Sequence, residues 1–144
     1  MGWWSTGIMG GDTPLDYEDQ FFDICEVEKF PEGGGTASLT KGDLESNLSD
    51  ILQFLNEDKW GEAGIGFQVL AVLMMKAGAE MSMPVKVRML EAISSDEWAQ
   101  ENDERAIAIN GLYEALKVYD GKTPIYIKSR GLFEVMFDKL GGQN

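Results

Sequence analysis

Asp12, Asp16, Asp19 and Asp23 are separated by four, three and four residues, a spacing that lines carboxylates along one side of a helix. Such a row can do one of three things. It can converge on a hard cation, divide acid and base roles between two carboxylates, or present negative charge to a partner. The first two tasks need ligands from more than one element, and a lone acidic helix side is most often solvated. The row is therefore expected to bind neither a metal nor a cofactor, and no catalytic residue is assigned. Trp3 and Trp4, with Met9 close by, form a second group. Exposed, they would suit a protein-binding hot spot; buried, they would tuck the start of the chain onto the core. Burial is the expectation for Trp4, whereas Trp3 joins the four aspartates as a candidate binding residue. Gly61-x-x-Gly64-x-Gly66 is a reversed spacing of the dinucleotide fingerprint without a preceding strand or a following acidic ribose ligand. Small residues at a close helix crossing account for it better.

Histidine is absent from the 144 residues, which removes Ser-His-Asp and Cys-His catalysis and His-ligated zinc together. Cys25 is the one cysteine, so no disulfide framework or CxxC metal site exists. The formal charge of −13 is unevenly spread: residues 1–60 hold 13 acidic and 3 basic side chains, the remainder 12 and 9. A field of that sign repels nucleic acid and anionic lipid and attracts basic protein surfaces. Direct binding to nucleic acid or membrane is accordingly not expected. The opening residues lack a basic region followed by an apolar run, so a cytoplasmic protein is the simplest expectation. Lys128-Ser129-Arg130, with Lys122, makes a small basic spot suited to salt bridges with the acidic first part.

The elements that must position these residues follow from periodicity. A hydrophobic content of 44% with 26% charged residues suits a single globular domain over 1–144. Glu62–Glu80 is apolar nearly all round, with Gln68 and Lys76 as interruptions, and predicts a central helix covered on most sides. Its run Val69–Met75 is far short of the roughly 18 residues needed to span a bilayer. Around it, a first helix is expected from Pro14 to about Glu26. Leu15, Phe22 and Cys25 form its inner stripe, flanked by Phe21 and Ile24. The glycines of 33–35 make 30–39 a loop. Thr40-x-x-Asp43 resembles a capping box, and Leu44, Leu48, Ile51, Leu52 and Leu55 continue a second helix to about Glu57. Asn56–Gly61 forms a turn with Trp60 as a hydrophobic lid.

After the central helix, Ser82-Met83-Pro84 starts a short fourth helix with Val85, Met89, Leu90 and Ile93. Ser94-x-x-Glu97 matches the capping box and predicts the longest helix, running to about Asp120. Its stripe carries Trp98, Arg105, Ala106, Ile109, Leu112, Tyr113, Leu116 and Tyr119. Gly111 interrupts it and Gly121 stops it. Pro124–Ile127 is extended and can pair with Trp3–Ile8 as a minor two-stranded β ribbon. Leu132, Phe133, Met136, Phe137 and Leu140 predict a sixth helix. The expected fold is thus mainly α, a bundle of about six helices around the buried helix 62–80.

Met1-Gly2-x-Trp4-x-Thr6-Gly7-Ile8, followed by Asp12-Thr13 and Asp16, resembles the start of a bacterial family of unknown function, DUF4259. Its members begin MGxWGxGxF and then step into a helix through D-[TD]-A-x-D. Ser5 stands where many relatives have Gly, and Pro14 replaces the usual Ala. The resemblance covers residues 1–24 and, more loosely, 44–120. It implies a helical outline and no activity; acidic phage-borne proteins share the same look.

Charge, missing histidine and helical pattern together predict a non-enzymatic acidic binding protein. Its partner would be a basic, nucleic-acid-binding protein engaged through the acidic N-terminal helix, as in charge mimicry or an immunity-type inhibitor. Two other classes stay open. One is a small divalent-cation-dependent enzyme using carboxylates. The other is a structural or assembly subunit, for which the apolar excess and eight methionines would supply a packing surface, including in a homo-oligomer.

Overall fold

The computed structural model describes residues 12–29, 33, 38–96, 100–129 and 132–135. The fold is mainly helical. Among the described residues, five helices, α1 (Asp12–Cys25), α2 (Lys41–Glu57), α3 (Ala63–Ala77), α4 (Met83–Ser94) and α5 (Asp103–Val118), precede a hairpin of β1 (Ile125–Ser129) and β2 (Leu132–Val135). Helix α3 packs against each of the other four helices and against β1, so it is the axis of the assembly. Every residue from Gly66 to Met75 is buried, as its apolar circumference requires.

Gly66 of α3 lies against side chains of α1 and α2. A Cβ there would run into the Leu55 Cδ2 methyl and stand 2.8 Å from the Tyr17 ring. Of the three glycines expected at a close crossing, Gly66 alone serves one; Gly64 faces open space, and Gly61, also open, takes a left-handed φ of +77° in the turn before α3. Helix α3 ends on Gly78, whose φ of +71° is the left-handed conformation that a β-carbon disfavours. The Tyr119 hydroxyl then donates to Ala79 O at 2.5 Å, joining the end of α5 to the end of α3.

The Thr40 capping box forms as its sequence implies. Thr40 Oγ1 accepts from the Asp43 N–H, and the Thr40 N–H donates to Asp43 Oδ2, both at 3.0 Å. Asp58 takes a left-handed conformation at the end of α2, and its Oδ1 accepts the Ala63 N–H at 3.0 Å, so one side chain serves the turn between two helices.

Five expectations change. Helix α1 starts at Asp12 rather than Pro14, with Pro14 buried in its first turn. Its inner line is Tyr17, Phe21, Phe22 and Cys25, while Leu15 is 40% exposed. Phe22 is 3% exposed, with Lys29 Nζ standing 5.7 Å from its ring centroid. The long helix from Ser94 does not form. Ser94 is the last residue of α4, and its hydroxyl turns back to Leu90 O at 2.6 Å. Asn102 caps α5 instead, its Oδ1 accepting the Arg105 N–H at 3.0 Å. At the other end α5 stops at Val118, and Gly121 (φ +80°) belongs to the following turn.

The last correction concerns the sixth helix. Residues Leu132–Val135 form a strand, antiparallel to β1 with Ile125 opposite Val135 and Ile127 opposite Phe133. A register irregularity falls between Ile127 and Ser129. Apolar spacing in so short a run fits a strand as well as a helix, and the neighbouring β1 offers a ladder that a helix would leave unpaired. The expected pairing of Pro124–Ile127 with Trp3–Ile8, and the remainder of the sixth helix after Val135, lie outside the described residues.

Candidate functional site

Helix α1 divides cleanly. One side gives Tyr17 and Phe21 to the core, and the other leaves Asp16, Asp19 and Asp23 exposed. Lys29, just beyond the helix, donates to Asp19 Oδ1 and Glu18 Oε1, each at 2.9 Å. Burial works against its charged form, but the hydrogen bonds to Asp19 and Glu18 outweigh it and its pKa is raised. Asp19 thus has a cation beside it. Asp16 and Asp23 have none among the described residues. Asp12 opens the helix with its side chain outside the described set, as are Trp3, Trp4, Met9, Trp98 and Arg130. Of the small basic spot, Lys128 and Ser129 lie in β1. Among the described residues no three Asp, Glu or Cys side chains converge on a metal-sized space.

An aromatic cluster closes the turn between α2 and α3. Trp60 lies 4.7 Å from the Tyr17 ring and edge-on to Phe54 at 5.2 Å, yet remains 44% exposed. It is a lid left half open. Burial, with the charges of Asp58 and Glu62, pushes the Tyr17 phenol up to about 12, so Tyr17 stays neutral and acts as packing.

Sequence reasoning missed the buried polar cluster formed among the described residues. Gln68 and Arg105, each 1% exposed, meet Asp96 inside the helical layer. Arg105 Nη2 donates to Asp96 Oδ2 and to Gln68 Oε1, both at 2.7 Å, while Gln68 Nε2 donates to Asp96 Oδ2 at 2.9 Å. A buried guanidinium and carboxylate need this kind of mutual satisfaction to be tolerated. Two signals were present. Gln68 sits in an otherwise apolar helix and must find a partner; Arg105 falls on the apolar stripe of α5. The cluster ties α3 to the α4–α5 connection and to α5 itself, which is an architectural use.

Cys25 offers no nucleophile. Its thiol donates to Asp43 O at 3.6 Å, and burial, with the charge of Asp43, pushes its pKa up to about 11. An unfolded thiol ionises near 8.5, so at pH 8 native Cys25 should react with a disulfide reagent more than about a hundredfold slower than in denaturant. Stopped-flow thiol titration with and without urea measures this. Rapid stoichiometric labelling of the native protein would contradict the buried placement.

No family model, curated protein or solved structure matches the chain. What the site does therefore rests on its own residues. No helix among those described is long and apolar enough to cross a membrane.

Proposed function

We propose that the chain is a non-enzymatic binding protein of the cytoplasm that engages a basic protein surface through the acidic side of α1. The carrying observation is that α1 spends its apolar side on the core and leaves Asp16 and Asp23 exposed with no cation against them among the described residues. The surrounding charge reinforces this, because residues 1–60 carry net −10. A row of carboxylates held on a rigid helix can occupy a groove shaped for phosphates, so the sharpest form of the proposal is inhibition of a nucleic-acid-binding protein. Membership in the DUF4259 family belongs to the same proposal and rests on the opening motif.

The test is the triple variant Asp16→Asn, Asp19→Asn, Asp23→Asn, which keeps shape and removes three charges. Stability should change little, because all three side chains are exposed. Affinity for a basic partner recovered with the wild-type protein should fall about tenfold or more at low salt. The difference should shrink near 1 M salt, where the screening length drops to ~3 Å. Equal affinity of the two proteins at low salt would end the proposal. Loss of a divalent-cation-dependent activity at every salt concentration would put the carboxylate enzyme in its place.

A further inference from the structure

A groove of about 600 Å³ runs between α1, the Ser38–Lys41 turn and the C-terminal half of α3. We infer that it binds a small amphiphilic anion, with an oxyanion head between Lys41 and Lys76 and an apolar body against Phe22, Leu39 and Leu73. This site is separate from the acidic side of α1 and does not depend on it.

Its size falls within the range of about 300–1,000 Å³ that small-molecule sites occupy. Its floor is apolar and well anchored, since Phe22, Leu39 and Leu73 are each at least nine-tenths buried. Charge at the mouth is what selects the ligand. Among the described residues Lys29, Lys59, Lys117 and Arg105 form ion pairs, whereas Lys41, Lys76, Lys86, Arg88 and Lys122 form none. Of these five, Lys41 and Lys76 are the two that line this groove, and both are exposed, so two uncompensated cations stand at one mouth.

Lys41 is also in the wrong place for helix stability. It is the first residue of α2, where the helix dipole favours negative charge and opposes a cation. An anion seated in front of it reverses that penalty. Glu18 is the one acidic side chain in the lining, and Lys29 Nζ at 2.9 Å offsets its charge. Asp43 and Glu45, within about one turn of Lys41 on α2, are engaged by the Thr40 and Glu80 backbone N–H groups, and carboxylates farther away are attenuated beyond a Debye length of ~8 Å at physiological salt.

Decanoate is the probe, titrated calorimetrically into the intact protein, with decanol and inorganic phosphate as controls. Decanoate should bind saturably, one per chain, and more tightly than either control. Lys41→Gln with Lys76→Gln should weaken it about tenfold and leave decanol unaffected, with the thermal midpoint little changed, because losing an unfavourable cation at the start of α2 offsets losing a favourable one in the last turn of α3. Four results would overturn the inference: no saturable decanoate binding by the wild type, equal binding by the double variant, decanol binding as tightly as decanoate, or phosphate doing so.

Discussion

Asp96→Ala is expected to lower the free energy of unfolding by about 3–5 kcal/mol, the range found when one partner of a buried ion pair is removed. Arg105 is 1% exposed and its Nη2 lies 2.7 Å from Asp96 Oδ2. Deleting the carboxylate leaves the guanidinium in a low-dielectric interior without that counter-charge, and takes an acceptor from Gln68 as well. A domain of ordinary stability has about 5–15 kcal/mol in total, so the variant should be close to unfolding at physiological temperature. Urea denaturation of four proteins, the wild type, Asp96→Ala, Arg105→Met and the double variant, measures the effect and its origin. The double variant should be more stable than the sum of the single losses implies, because it removes both charges from the interior. Additive losses, or a cost below about 1 kcal/mol for Asp96→Ala, would mean that the pair is solvated in solution.

Leu70→Ala should cost about 2–5 kcal/mol, from lost transfer free energy and the cavity left behind. Leu70 is fully buried in α3, the element that every other helix touches. The neighbouring backbones are held by their own contacts at Gly66 and Tyr119, so little collapse into the void is expected. The measurement is again chemical denaturation, with an unchanged slope showing that the denatured state is the same. A loss below about 0.5 kcal/mol would contradict the central position of this helix. The two changes act by different physics.

Much of the frame is legible in local pattern. The apolar circumference of 62–80 calls for a buried helix, and residues 66–75 are buried. The Thr40 box depends on groups three residues apart, and those groups meet as their spacing implies. The acidic side of α1 is exposed because residues four and three apart share a helix side whatever lies opposite. Even here the inner line shifted toward Tyr17, since periodicity gives a side and neighbours decide how much of it is covered.

Local pattern by itself determined the helical character of α1, α2, α3 and α4, that the axis is apolar, and where unbalanced charge accumulates. These properties are set within about one turn of chain, by rotamers, caps and side-chain period, so they are written in adjacent residues. Tertiary structure alone decided the rest. Ser94 and Asn102 are both competent caps, and only packing of α4 over α3 carried Ser94 into a helix end and left Asn102 to begin α5. Leu132–Val135 became a strand because β1 stood beside it. Gln68 found Asp96 and Arg105 across separations of 28 and 37 residues. A buried polar group declares in sequence only that it needs a partner, and which group answers is settled when distant helices pack and exclude water between them.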